Sequence, residues 1–128
     1  MTVNRHLGPL FTDLYELTMA AVYFNRRLFA EATFSLFIRD YPPGRKYFVA
    51  AGLQDVLNEL ESLRFSNDVL AFLRETGLFS SDFLSFLKKF RFTGSVLAMP
   101  EGSIFFANEP ILEVTAPLIE AQIIETFL

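Results

Sequence analysis

The chain has 128 residues and a net charge of −4 at pH 7, with no cysteine and one histidine. The acidic balance and the scattered Lys and Arg residues exclude an electrostatic nucleic-acid interface, and the lack of cysteine excludes disulfides and makes a zinc site untenable. No apolar run reaches the ~18–20 residues that span a bilayer and no signal peptide is visible, so we predict a cytoplasmic protein with no membrane or nucleic-acid partner.

Apolar residues are abundant for a domain of this size. They make up 52% of the chain and include 16 phenylalanines, slightly above the ~45–50% that is usual in globular proteins. A small domain has too much surface to bury that many rings. We therefore expect protein to cover part of the apolar surface, from another subunit or from a further part of the same molecule.

The first predicted element is a helix that follows a short irregular lead-in. Thr12 is a candidate N-cap, and the acidic Asp13 suits the positive end of the helix dipole. The spacing predicts a helix to about Asn25, with Tyr15 and Met19 one turn apart on a flanking stripe. Four apolar residues at helical spacing form the predicted buried face: Leu14, Leu17, Ala21 and Phe24.

A strand and a turn come next. Residues 31–39 alternate between polar and apolar side chains, which predicts a strand that ends on Arg39. Residues 40–46 contain two prolines and a glycine, and these residue types cannot continue a sheet ladder. A short strand is predicted at 47–51.

The rest of the chain reads as a helical cluster, three extended segments and a last helix. Helical spacing predicts a helix after Gly52, and the capping segments Ser66-Asn67-Asp68 and Ser80-Ser81-Asp82 predict the starts of two more. The extended segments are expected at 90–98, 103–106 and 111–115. Pro117 fits the first turn of a helix that reaches Leu128. This order predicts an α+β fold and not a doubly wound sheet.

Four segments, in the same order, resemble the start of the nicotinate phosphoribosyltransferase family. They are LFTDLYELTM (10–19), FSLFIRDYPPG (34–44), AAGL (50–53) and LAMPEGSIFFANEPILEVTAPLIEAQIIETFL (97–128). The first and last segments are specific, whereas AAGL is weak alone. Nicotinamide phosphoribosyltransferase shares the architecture and is the alternative, although the tyrosine-containing helix start and its spacing to the arginine look more like the nicotinate enzyme.

The resemblance implies the N-terminal, α/β-hammerhead-like domain of a type II phosphoribosyltransferase. Residues 1–128 would form this single domain, and 117–128 would begin a helix toward a larger α/β barrel that is mostly missing. In the family that barrel carries the phosphate loops and a histidine phosphorylated by ATP, so no catalytic residue is expected here and His6 receives no role. We expect no turnover by this chain alone, whether it is a truncation, a separately encoded half or a partial chain.

The activity implied is the joining of nicotinate and phosphoribosyl pyrophosphate to give nicotinate mononucleotide and pyrophosphate, with ATP hydrolysis, in NAD salvage. Mg²⁺ and ATP are the cofactors expected for the complete enzyme, with none bound by this part. The expected partner is a second copy in a homodimer or a companion chain that contains the barrel. The alternative class is a non-catalytic split-subunit or dimerisation module. The preference for nicotinate over nicotinamide stays open.

Three residues become substrate-binding candidates through the resemblance, and each has an ordinary structural alternative. The family's tyrosine at Tyr15 stacks on the pyridine ring, usually in the neighbouring subunit's site; otherwise Tyr15 is a half-buried aromatic beside Met19. Arg39 would contact the phosphates of phosphoribosyl pyrophosphate, for which its planar fork is suited, or would be a solvated charge paired with Asp40. Asp13 would orient the substrate or hold Tyr15 and Arg39 in place, or it would stabilise the helix end. No metal site is predicted.

Overall fold

The computed structural model describes residues 8–128; His6 and the rest of 1–7 lie outside the described residues. The order of elements confirms the predicted α+β pattern. They are α1 (Leu14–Asn25), β1 (Glu31–Leu36), β2 (Phe48–Val49), α2 (Leu53–Ser62), α3 (Asn67–Glu75), α4 (Ser81–Lys88), β3 (Ser95–Ala98), β4 (Ile104–Phe105), β5 (Leu112–Pro117) and α5 (Leu118–Ile123). Within 8–128, every helix is too short to cross a membrane.

The strands form two antiparallel units. A three-stranded sheet has the order β1-β5-β3, and β2 pairs with β4 in a separate two-stranded ribbon. The central strand β5 pairs with β1 from Glu31–Pro117 to Leu36–Leu112. Its side chains alternate between buried and half-buried positions, as expected when one face of a sheet is covered.

The hydrophobic core lies between the inner face of this sheet and the helices. Helix α1 packs on α5, and α5 packs on β1 and β5. The largest fully buried apolar side chains come from α4, β5, α5 and the residue after α5: Phe83, Leu87, Val114, Ile119 and Ile124. Burial of such side chains is the main favourable term in folding.

The predicted caps of the central helices are present. The Ser66 hydroxyl accepts from the Val69 N–H at 3.3 Å, and the Ser80 hydroxyl accepts from the Phe83 N–H at 3.2 Å. Each bond satisfies one of the amides that a helix start leaves free. Local chemistry therefore sets where α3 and α4 begin.

Helix α1 differs from its prediction in two ways. Its N-cap is Asp13 and not Thr12, because the Thr12 hydroxyl instead bonds the Glu16 carboxylate. As predicted, Leu17 is buried and Ala21 and Phe24 pack against the core. Leu14, however, is 57% exposed, and Glu16 and Ala20 are buried instead. The reason is that α5 packs against a neighbouring stripe of a helix that is apolar on two sides.

Several elements are shorter than predicted: β2, β3 and β4 cover 48–49, 95–98 and 104–105, whereas 47–51, 90–98 and 103–106 were expected. Strand β1 ends at Leu36 and not at Arg39, because its partner β5 begins at the opposite residue, Leu112. Helix α5 ends at Ile123 and does not reach Leu128, and the Glu125 N–H then bonds the Gln122 carbonyl at 3.4 Å. Such a three-residue spacing tightens the last helical turn.

The approach to β3 is held tightly against β5 and α5. A Cβ on Gly94 would lie 2.5 Å from the Ala116 Cβ and 2.6 Å from the Thr115 carbonyl oxygen, so only glycine fits there. Next to it, the largely buried Glu120 carboxylate accepts from the Thr93 N–H at 2.7 Å and from its hydroxyl at 3.0 Å. These contacts fix α5 relative to the sheet.

Candidate functional site

An open groove of about 510 Å³ lies beside α1, β1 and the turn after α5. Its lining includes Tyr15 and Met19 from α1, Phe37 and Arg39 from the segment just after β1, and Glu125 after α5. The volume falls in the range of about 300–1,000 Å³ that is typical of small-molecule sites. The fold thus brings two sequence-predicted site residues, Tyr15 and Arg39, into one groove.

Tyr15 is the aromatic residue of this groove and is 48% exposed. Its hydroxyl donates to Glu125 Oε1 at 3.2 Å, and Glu125 Oε2 accepts from Gln122 Nε2 at 2.8 Å. Partial burial, the hydrogen bond to Glu125 and the negative charges of Glu125 and Glu16 raise the pKa of Tyr15 to about 12. The phenol is therefore neutral near pH 7, and the hydrogen bond from its hydroxyl to Glu125 holds the ring in place.

Arg39 is the cation of the groove. It is exposed and makes no hydrogen bond or ion pair with any other residue of 8–128, Asp40 included. A guanidinium has five N–H donors and no acceptor. None of the five is used by another residue of 8–128, so this part of the chain leaves them to an anion that enters the groove.

Asp13 lies near the groove but not in its lining. It is the exposed N-cap of α1, its side chain accepts no capping hydrogen bond, and its N–H donates to the Thr126 hydroxyl at 3.1 Å. The structure thus ties Asp13 to the segment after α5. Its predicted role in orienting the substrate stays a prediction.

Three polar residues around Tyr15 were not predicted from the sequence. Glu125 and Gln122 contact α1 across about a hundred residues of chain, and no local pattern signals such contacts. Glu16 is fully buried beside Tyr15, with its Oε1 unpaired among the described residues. The only sequence signal was that two segments of the resemblance contain them: LFTDLYELTM contains Glu16, and the PLIEAQIIET block contains Gln122 and Glu125.

Within 8–128, no three His, Cys, Asp or Glu side chains converge on a common point. These residues therefore offer no carboxylate cluster that would hold a divalent cation by itself. The expected Mg²⁺ and ATP of the complete enzyme stay predictions.

The family model for the N-terminal domain of nicotinate phosphoribosyltransferase (NAPRTase) matches residues 10–128. Fold and match together define the class: this is an α+β N-terminal domain of a phosphoribosyltransferase. More narrowly, the chain belongs to the nicotinate phosphoribosyltransferase family. This confirms the resemblance and the predicted fold class.

Individual relatives agree with this assignment. The chain is 51% identical over 128 residues to nicotinate phosphoribosyltransferase pncB2 of Mycobacterium tuberculosis, covering all of this chain and 28% of that protein. It is 42% identical over 120 residues to the Bacillus subtilis nicotinate phosphoribosyltransferase, covering 93% and 24%. The crystal structure of human nicotinic acid phosphoribosyltransferase superposes with a TM-score of 0.81 at 36% identity, covering 91% and 24%. The chain thus spans about a quarter of the length of these relatives.

Proposed function

We propose that this domain forms part of an enzyme that joins nicotinate to phosphoribosyl pyrophosphate, giving nicotinate mononucleotide and pyrophosphate with ATP hydrolysis, as a step of NAD salvage. The observation that carries the proposal is the placement of Tyr15 and Arg39 in one groove, in a chain that belongs to the nicotinate phosphoribosyltransferase family.

Tyr15 supplies the surface for the pyridine ring. A flat heteroaromatic ring stacks favourably on a phenol, which has few rotatable bonds to immobilise. The hydrogen bond from the Tyr15 hydroxyl to Glu125 limits rotation of the ring before the substrate arrives. This arrangement presents the pyridine nitrogen to the ribose in a set orientation.

Arg39 supplies positive charge to the phosphates. In the reaction the pyridine nitrogen forms a bond to C1 of the ribose while the bond from C1 to the pyrophosphate oxygen breaks. The ribose then resembles an oxocarbenium ion, and negative charge grows on the departing pyrophosphate. A guanidinium without a partner among the described residues meets such oxygens two at a time and stabilises that charge.

Other parts of the enzyme complete the site in this proposal. Mg²⁺ and ATP bind outside residues 8–128, and Mg²⁺ supplies further neutralisation of the phosphates. A second copy or a barrel-containing chain, in the cytoplasm, covers the groove side of α1. Support for a protein cover comes from apolar side chains that are about 40–60% exposed on and next to this helix: Phe11, Leu14, Met19 and Val22.

A kinetic comparison of two arginine variants tests the proposal in the complete natural protein. Arg39→Ala should raise the KM for phosphoribosyl pyrophosphate about 10- to 100-fold, because charged hydrogen bonds contribute about 1.5–3 kcal/mol. The control is Arg74→Ala, since Arg74 is exposed on α3 and not in the groove. Equal KM values for the two variants would refute the role of Arg39.

The second candidate function is a non-catalytic module that only dimerises or docks on a barrel, and the same exposed apolar side chains favour it. The discriminating observation is the reading frame downstream of the gene. A frame that encodes the barrel supports the enzyme, and an isolated frame supports the module. Nicotinate mononucleotide formation by the purified 128-residue chain would contradict our expectation that this chain alone has no turnover.

A further inference from the structure

The chain on both sides of Arg39 is bonded to one turn, which lies between β4 and β5. The Asn108 N–H donates to the Ile38 carbonyl at 2.7 Å. The adjacent Ala107 N–H donates to the Tyr41 hydroxyl at 3.0 Å. Two consecutive amides thus hold the residue before Arg39 and the second residue after it.

The turn that supplies these amides has a fixed conformation of its own. Asn108 adopts φ 65°, in the left-handed region that asparagine tolerates better than most residues. The Glu109 carboxylate accepts from the Phe106 N–H at 2.7 Å. The two amides are therefore presented by a turn that is stabilised independently of Arg39.

The ring of Tyr41 is held separately from its hydroxyl. It stacks on Phe48 with centroids 5.3 Å apart and planes 3° apart, and Phe48 stacks on Phe105 at 5.3 Å. Phe48 and Phe105 are buried, and the Arg45 guanidinium lies 5.7 Å from the Phe48 ring centroid. This stack keeps the Tyr41 hydroxyl aimed at Ala107. Removal of the hydroxyl alone would therefore free the loop from Ala107 and leave the ring contacts in place.

We propose that Tyr41 is a positioning residue for Arg39. Because Arg39 makes no bond of its own with the described residues, its direction depends on the backbone that carries it. The Tyr41 hydroxyl and the Asn108 amide fix that backbone at the mouth of the groove. Because the backbone is already held, only the side-chain torsions of Arg39 have to be ordered when the guanidinium binds a phosphate. This inference rests on the proposed function, in which Arg39 contacts phosphoribosyl pyrophosphate.

The test uses Tyr41→Phe in the complete natural protein, since this change deletes the hydroxyl and keeps the stacked ring. The KM for phosphoribosyl pyrophosphate should rise about three- to tenfold, with kcat and the KM for nicotinate unchanged. The matched control is Tyr47→Phe, because Tyr47 lies in the same loop, is exposed and has a hydroxyl without a described partner. It should leave all three constants unchanged.

A double variant separates positioning from general loosening. In an Arg39→Ala background, Tyr41→Phe should have no further effect on the KM for phosphoribosyl pyrophosphate. An unchanged KM in the single Tyr41→Phe variant, or an equal rise in the Arg39→Ala background, would overturn the inference while leaving the proposed function intact. If Arg39→Ala itself leaves the KM unchanged, the proposed role of Arg39 fails and the inference fails with it.

Discussion

Helix α1 has two apolar faces, and the described chain buries only one of them. On the inner face Leu17 and Ala20 are 3% and 0% exposed, whereas on the outer face Leu14 and Val22 are 57% and 54% exposed. The side chains are chemically similar, so hydrophobicity alone does not decide which face joins the core. What decides is that α5 packs on one face.

The unburied side of α1 is also the side that adjoins the groove. Tyr15 and Met19 line the groove and are 48% and 38% exposed. A core residue serves stability, because its contacts are already made by this chain. A half-exposed aromatic at a groove is free to contact something else. The two sides should therefore respond differently to mutation.

The largest expected effect comes from truncation on the inner face. Leu17→Ala should lower the free energy of unfolding by about 2–5 kcal/mol, because it leaves a cavity against α5. Leu14→Ala on the outer face should change it by less than about 0.5 kcal/mol. Urea unfolding of the two variants of the 128-residue chain, in which nothing covers Leu14, measures the difference. Equal losses of unfolding free energy would mean that Leu14 is buried like Leu17, and would contradict the difference between the two faces of α1.

A second change tests how closely the chain packs in the buried interior, at the point where β3 approaches β5. Gly94→Ala should lower the free energy of unfolding by about 1–3 kcal/mol, because the new Cβ collides with the Ala116 side chain and the Thr115 backbone. Ser95→Ala is the control, since Ser95 is exposed on the next position of the chain. Thermal unfolding that shows no difference between the two variants would contradict the close approach of β3 to β5.

The smallest effect concerns ionisation at the groove. The pKa of Tyr15 is raised to about 12, above its ordinary value of about 10, so the folded protein holds this proton more tightly than the unfolded chain. The resulting stabilisation is complete below about pH 10 and is lost as the pH rises through about 12. Between about pH 7 and 10, the ratio of nicotinate affinities of wild type and Tyr15→Phe should be constant by calorimetry. A ratio that changes within this range would show that the phenol ionises there.

Local chemistry allowed much of the fold to be predicted from the sequence. The order of elements and the Ser66 and Ser80 caps depend on neighbours within a few residues, and the structure contains them. The lengths of β1 and α5 were wrong because pairing with β5 ends β1 and a tightened turn ends α5. Leu17, Ala21 and Phe24 pack as predicted, but Leu14 was wrongly placed on the buried face of α1, because that face is selected by a helix about a hundred residues away.

The candidate site was also predicted only in part from the sequence. From residue types alone, Tyr15 and Arg39 had ordinary structural roles. The resemblance to a family made them substrate-binding candidates. The structure adds that they share a groove and that Arg39 does not pair with Asp40. The bonds from Tyr15 to Glu125 and from Ala107 to Tyr41 join distant segments, so no local pattern could have indicated them.

The claim that the outer side of α1 binds the pyridine ring is tested most directly by calorimetric titration of the complete natural protein with nicotinate. Tyr15→Ala should weaken binding about tenfold, because the stacking surface is lost. Tyr47→Ala, which removes an equally exposed tyrosine outside the groove lining, should leave affinity unchanged. Wild-type affinity in the Tyr15→Ala variant would contradict the account.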